Sequence, residues 1–299
     1  MKKNVLYTTI YPGAEKYVPD WAASVLSQDT HDFDVYIGLD TVSRDLLPGA
    51  VTANFSVTFI EADMTETPIG LRNRAMALMS SAYDAVIFAD SDDVLEPTRV
   101  SSALFALQTS DIHGCGLSLI NGEGDDLGIY FGLVEDESPE EVLPRYNFLG
   151  LSNTAWRAPA LQACLPAPLE CIAMDWFLAT CGWCRGFCIS FDRTKRMRYR
   201  QYGTNIARVV PPFTSEQIIK ATDIVSGHYR VLLGAKIAAS GARRRLLEDA
   251  AARVNVFKAN IVSSRMKLEA YMHALNQLPA HRLWWLTVAH PDLEDIWSC

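Results

Sequence analysis

The chain predicts an α/β fold built on a doubly wound, mainly parallel sheet, and three observations lead there. Apolar runs of strand length alternate with segments whose apolar residues recur at helical spacing. Acids stand at the ends of three successive strand-like runs: Asp40, then Glu61 and Asp63, then Asp90. The run 85–89 is continuously apolar and short enough for a strand buried on both faces.

Residues 5–10 form a β-rich opening strand, closed by the turn signal Tyr11-Pro12-Gly13. Val18, Trp21, Ala22, Val25 and Leu26 recur at i, i+3, i+4, i+7 and i+8, which predicts an amphipathic helix. Residues 33–39 and 55–60 read as the second and third strands. Leu71, Ala75, Leu78 and Met79 mark a second helix, and the strand 85–89 follows it. A third helix after Pro97 carries Val100, Leu104 and Leu107. Residues 115–120 and 127–134 read as strands paired around Asn121-Gly122-Glu123-Gly124.

Further on, 135–141 is an acidic stretch that reads as a solvated loop. The small and polar residues of 147–153 suit a bend beside a site. A helix is expected over 168–182, carrying Asp175 between the bulky apolar Met174 and Trp176. Residues 193–200 are the one dense basic run, either an edge strand kept soluble by charge or a surface that meets an anion. The character changes after Pro211-Pro212. Thr214 and Gln217 form a capping-box pattern, and Ile218, Val225, Tyr229 and Leu232 follow at helical spacing. One longer helix is expected after Gly241, with Val254, Phe257, Ile261, Leu268, Tyr271 and Leu275 on a stripe. The aromatic tail 281–286 would pack on the core, on a partner chain or on a membrane surface. Two regions result, 1–210 and a helical extension, 211–299.

Asp90, Asp92 and Asp93 follow the buried run 85–89 within four positions. Carboxylates so close repel unless a cation or donor hydrogen bonds offset the repulsion. In open α/β sheets ligands sit at the carboxyl ends of strands. An oxygen-only donor set there suits Mg²⁺, Mn²⁺ or Ca²⁺ rather than zinc, and a hard ion held by one or two carboxylates completes its shell with substrate phosphates. The simpler reading, in which Asp92 or Asp93 caps the next helix, is also open.

The 299 residues suffice for one large α/β domain with an appendage. A net charge of −8 argues against a general nucleic-acid binder. Met1-Lys2-Lys3-Asn4 leads straight into a strand, and no apolar run has the length of a membrane span. A cytoplasmic chain is expected, with peripheral contact at the inner membrane face left open. Seven cysteines include Cys181, Cys184 and Cys188 at C-x2-C-x3-C spacing. Without a second Cys or His pair this is weak for zinc, and buried thiols are the better reading. Lone His113 and His228 read as structural, and Trp156 and Trp176 as core residues or sugar-stacking rings.

Together these features resemble the family 2 glycosyltransferases of GT-A fold. The resemblance rests on an opening strand and helix ending Ser24-Val25-Leu26-Ser27-Gln28, the strand ending at Asp40, and Gly70-Leu71-Arg72-Asn73-Arg74-Ala75. Asp90-Ser91-Asp92-Asp93, Asp175-Trp176 and Tyr199-Arg200-Gln201-Tyr202-Gly203-Thr204-Asn205 complete it, over about the first two thirds of the chain. The resemblance implies that 1–210 is the nucleotide-sugar-binding and catalytic domain. It implies nucleotide contacts from Thr9, Asp40, Arg72, Asp90 and Arg200, with Asp90 and Asp92, the Asp-x-Asp element, holding Mn²⁺ or Mg²⁺. Asp93 would orient the ion's water ligands. Asp175 would be the catalytic base, although Met174 replaces the Glu that often precedes it. Tyr202 stands where the family often has His.

The resemblance further implies an inverting, non-processive transferase that moves one sugar from a nucleotide-sugar donor, UDP-linked by preference. The acceptor would be a hydroxyl of a glycan, lipid-linked or small-molecule compound. The C-terminal helices lie outside the resemblance and would either shape the acceptor cleft or form a homodimer. Two other classes stay open. One is a nucleotide-diphosphate-binding protein without turnover, which Met174 and Tyr202 keep alive. The other is a sugar-phosphate nucleotidylyltransferase, although the Gly-rich basic loop of that class is missing from Tyr11-Pro12-Gly13-Ala14-Glu15.

Overall fold

The structure is a computed structural model and describes residues 4–298 except 204, 236, 238 and 240. Met1, Lys2, Lys3 and Thr204, quoted above, lie outside the described residues. In chain order the first third comprises β1 (Asn4–Ile10), α1 (Val18–Leu26), β2 (Asp34–Leu39), α2 (Gly49–Asn54), β3 (Val57–Glu61), α3 (Pro68–Ala82), β4 (Ala85–Phe88), β5 (Val94–Leu95) and α4 (Arg99–Ala106). Next come β6 (Ile112–Ile120), β7 (Asp126–Phe131), α5 (Pro139–Val142), β8 (Thr154–Arg157), α6 (Ala158–Cys164), α7 (Met174–Arg185) and β9 (Ile189–Arg200). The chain ends with α8 (Ser215–Gly234), α9 (Gly241–Phe257), α10 (Arg265–Leu275) and α11 (Glu294–Trp297).

The expected α/β class is what folds. One sheet runs in the order β3-β2-β1-β4-β8-β6-β9-β5, with β7 paired to β6. β1 to β4 are mutually parallel, so the ends of β1, β2 and β4 all open on one edge. Beyond β4 the sheet is mixed, because β8 runs antiparallel to both β4 and β6. Val5, Leu6, Val86 and Ile87 are fully buried, which matches a strand pair covered by helices on both faces. Thr67 caps α3 by accepting the Gly70 N–H at 3.1 Å, and Pro68 presets the first turn. At the other end of the fold, α7 stops at Gly186, whose φ of 81° is the left-handed cap that glycine adopts without strain.

Four sequence expectations need correction. The helix that carries Asp175 begins at Met174, not at 168. Asn73 holds the preceding segment extended by bonding both the N–H and the carbonyl of Ala167, at 2.9 and 2.8 Å. The stripe from Val254 to Leu275 is buried as expected, but it belongs to two helices. A π turn, Lys258–Val262, separates them, and Ser264 caps the second. The acidic stretch 135–141 is not merely solvated: Glu137 pairs with Arg282, and Glu140 accepts the Trp183 indole N–H. Finally, the basic run is the last two thirds of β9, and only its start is an edge: the two-residue β5 pairs with Met197 and Arg198, and the Glu96 N–H bonds the Arg196 carbonyl at 2.9 Å.

Residues on both sides of position 210 share one core. Trp176 of α7 stacks on His228 of α8 at 3.8 Å and 9°, and the Tyr229 hydroxyl donates to the Pro144 carbonyl at 2.8 Å. The aromatic tail turns inward. Trp284 packs against Phe131 at 4.4 Å and Tyr199 at 5.5 Å, and a backbone bridge joins it to Asn147. Among the described residues no helix is long and apolar enough to cross a membrane.

Candidate active site

A cleft of about 400 Å³ opens where β1, β2 and β4 end. Thr9, Asp40, Arg72, Asp90, Asp92 and Asp175 all line it. Six residues spread over more than half the chain thus meet in one place. The parallel register supplies three of them, Thr9, Asp40 and Asp90: Thr9 is opposite Gly38 in β2, Asp40 follows the end of that strand, and Asp90 follows β4, which pairs with β1. The backbone N–H of Asp40 bonds the Ile10 carbonyl at 2.9 Å, which holds the two strand ends together. Arg72 reaches the cleft from the second turn of α3, and its buried Nε has no hydrogen-bond partner among the described residues.

The loop after β4 is fixed on several sides. Ser91 donates its hydroxyl to the Thr9 carbonyl at 2.8 Å. Asp93 is turned inward: it accepts the Arg200 N–H at 2.7 Å and the Ser152 hydroxyl. Burial beside two neighbouring carboxylates pushes the Asp93 carboxyl well above its usual range. Its expected part beside the ion therefore passes to a buried role that ties the loop to β9. Asp90 faces the cleft, and burial raises its pKa to about 7, opposed by the Arg72 guanidinium.

Asp92 also faces the cleft, and its Oδ2 accepts two phenols. Tyr11 donates at 2.9 Å and Tyr202 at 2.7 Å, with the two hydroxyls 2.9 Å from each other. Burial and the Asp92 charge raise the pKa of both phenols, so both stay protonated donors near neutrality.

Across the cleft Asp175 occupies the first turn of α7, where the helix dipole favours a negative charge. Its Oδ2 accepts the Asn147 side-chain N–H at 2.9 Å. Although partly exposed to the cleft, the carboxyl is closely surrounded by protein, and burial raises its pKa to about 6. The Trp176 N–H, Arg72 and Asn147 restrain that rise. A carboxylate with this pKa suits proton acceptance near neutrality.

Arg200 does not line the cleft. Its guanidinium lies buried behind the Asp92 loop, donating to the Asp92 carbonyl at 2.8 Å, the Gly122 carbonyl at 3.1 Å and Asp20 at 3.0 Å. His113 and His228 lie elsewhere, and burial keeps both neutral, at about 4 and about 3. Trp156 and Trp176 are core residues, 2% and 0% exposed. Cys181 and Cys184 are buried, whereas Cys188 is exposed.

Sequence reading missed Tyr11, Asn147 and Trp284 as site residues. The Tyr11-Pro12-Gly13 turn and the small-polar bend 147–153 were the only local signals for the first two. Nothing near Trp284 in the chain signals that it returns to the cleft.

Among the described residues no three His, Cys, Asp or Glu side chains gather into a metal cage. A hard divalent ion needs less, since one or two carboxylates plus substrate phosphates hold Mg²⁺ or Mn²⁺. Both contacts to Asp92 fall on Oδ2, which leaves Oδ1 free of described donors, and Asp90 borders the same space. The donor set fits such an ion.

No protein-family model and no curated protein sequence matches the chain. Solved structures do. S. aureus TarS superposes with a TM-score of 0.63 at 17% identity, covering 90% of this chain and 46% of that one, so this chain spans under half of its length. TarS 1-349 in complex with UDP-GlcNAc gives 0.54 at 16% identity, covering 91% and 86%. The mannosyltransferase PcManGT from Pyrobaculum calidifontis, in complex with GDP-Man and Mn²⁺, gives 0.56 at 14% identity, covering 92% and 81%. At these identities the likeness is one of fold, and the fold is GT-A, followed by a helical extension.

Proposed function

We propose that the chain is an inverting, metal-dependent glycosyltransferase that moves one sugar from a nucleotide-sugar donor to a hydroxyl acceptor. One observation carries this reading: Asp175, with its pKa raised to about 6, faces the same cleft as Asp90 and Asp92. Two similar folds were solved with nucleotide sugars, UDP-GlcNAc and GDP-Man, which supports a donor of that class here.

In this reading Thr9, Asp40 and Arg72 hold the nucleoside, and Arg72 offsets the negative charge of the diphosphate. Asp90 and Asp92 would hold Mn²⁺ or Mg²⁺, whose chemistry is to act as a Lewis acid for the departing diphosphate. Asn147 turns Asp175 toward the acceptor. The Asp175 carboxylate takes the proton of the acceptor hydroxyl as the new anomeric C–O bond forms. The bond from the anomeric carbon to the diphosphate oxygen breaks, and that oxygen keeps the electron pair. A single displacement from the far side inverts the anomeric centre.

We favour a uridine donor. The test is calorimetry with uridine and guanosine diphosphates, each with and without Mn²⁺, followed by donor turnover with simple glycosides as acceptors. Expected are binding that metal strengthens and turnover that Asp175→Asn abolishes while binding persists. No diphosphate binding under any condition overturns the reading. Binding with no turnover on any acceptor favours the nucleotide-binding protein instead.

A further inference from the structure

The phenols on Asp92 have a consequence for the proposed reaction. Asp92 Oδ2, Tyr11 Oη and Tyr202 Oη form a closed triangle with edges of 2.9, 2.7 and 2.9 Å. The two phenols bring two protons to three contacts. Both can donate to Oδ2 at once only if the contact between them carries no proton. That arrangement fully engages one oxygen of Asp92 and leaves the other, Oδ1, without a described donor.

The phenols are themselves held. Tyr202 packs on Tyr17 at 5.4 Å, and the Arg200 guanidinium lies over the same Tyr17 ring, 4.5 Å from its centroid. The Tyr202 backbone N–H bonds Asn205 Oδ1 at 2.5 Å, and the Asn205 side chain returns to the Arg200 carbonyl at 3.1 Å. Tyr11 sits in the turn that closes β1, where the Ala14 N–H bonds its carbonyl at 3.0 Å. Asp92 is therefore oriented from two elements 191 residues apart in the chain. An exposed carboxylate rotates freely; this one is 7% exposed and pinned by one edge.

We propose that Tyr11 and Tyr202 are positioning residues for Asp92. They occupy Oδ2 so that Oδ1 alone binds a divalent cation in the cleft. This rests on the proposed function for the cation's place beside a nucleoside diphosphate. Hydrogen bonds to a ligating carboxylate fix its orientation, and their loss costs about 10- to 100-fold in metal affinity.

The experiment follows free Mn²⁺ by electron paramagnetic resonance during titration of the intact chain with saturating uridine diphosphate. Calorimetry measures the diphosphate alone in parallel. Compared are the native chain, Tyr11→Phe, Tyr202→Phe, the double variant and Asp92→Asn. Each phenylalanine variant is expected to weaken Mn²⁺ binding about tenfold or more. The double variant should lose less than the product of the singles, because the two phenols share one acceptor atom. Affinity for the diphosphate without metal and the melting temperature should stay close to native.

Unchanged or tighter Mn²⁺ binding in both phenylalanine variants overturns the proposal, since the phenols would then be neutral toward the ion or competing with it. A parallel loss of metal-free diphosphate affinity also overturns it, since the phenols would then serve the ligand directly. Native chain that binds the diphosphate but no Mn²⁺ overturns the proposal and leaves nucleotide binding standing. Native chain that binds neither removes the functional reading itself.

Discussion

Asn147 donates its side-chain N–H to Asp175 at 2.9 Å, while its own carbonyl accepts the Trp284 N–H at 2.9 Å. Its Oδ1 also accepts the Leu149 N–H, so every polar group of this fully buried side chain is engaged. The C-terminal tail thus reaches the proposed base through a single residue. Asn147→Ala removes the donor and leaves the Leu149 N–H and the Asp175 carboxylate short of a partner. We expect about tenfold or greater loss of turnover, diphosphate affinity near native and a pH profile shifted to higher pH. A calorimetric titration beside a pH–rate profile checks all three. An unshifted profile with native turnover would show that Asp175 needs no such orientation.

The raised pKa of Asp175 sets the pH dependence. A base must be unprotonated, so kcat should climb tenfold per pH unit below about 6 and level off above it. Stability moves the other way. Asp90 and Asp175 hold protons more tightly when folded than unfolded, so the folded chain binds more protons between the ordinary carboxylate range and about 7. The melting temperature should therefore fall as pH rises from about 4 to about 7. In Asp175→Asn that fall should be shallower. An equally steep fall in the variant would assign it to other groups.

Trp284 joins the tail to the sheet. It packs on Phe131 and Tyr199, donates its indole N–H to the Tyr199 hydroxyl at 3.2 Å and presses on Gly150, where an added Cβ would stand 2.7 Å from the ring. Trp284→Ala should cost about 3–5 kcal/mol, read by denaturant unfolding. Gly150→Ala is a gentler probe of the same contact. The ring must shift in a cleft wall, so KM for the acceptor should rise while diphosphate affinity holds.

Arg200 separates an internal role from direct ligand contact. Its guanidinium serves three loop carbonyls, those of Asp92, Asn121 and Gly122, and Asp20, whose side chain is largely exposed. Arg200→Met strands those carbonyls and should destabilise the chain by about 1–3 kcal/mol for each one left buried without a donor. Where the variant folds, metal-free diphosphate affinity should remain within about threefold of native, measured by calorimetry. A large loss of affinity with little loss of stability would instead place Arg200 on the nucleotide.

Much of the site was legible before folding because its parts sit at strand ends. Thr9 lies near the end of one strand-like run and Asp40 and Asp90 follow two others, and parallel register brings such ends to one edge. Arg200 was misplaced because a basic run looks alike whether it faces solvent, a phosphate or a buried carbonyl. The start of α7 was misjudged because Asn73, 94 residues away, supplies hydrogen bonds that keep Ala167 out of a helix.

The sequence by itself determined the alternation of strands and helices, the parallel half of the sheet and the edge where acids collect. Those features depend on periodicity and on neighbours a few positions away, which a linear chain displays openly. Only the tertiary structure decided that Tyr11 and Tyr202 close on Asp92, that Asp93 turns inward to Ser152 and Arg200, and that Trp284 returns to hold Asn147. Such pairings form when packing brings distant segments together and their polar groups must find partners away from water.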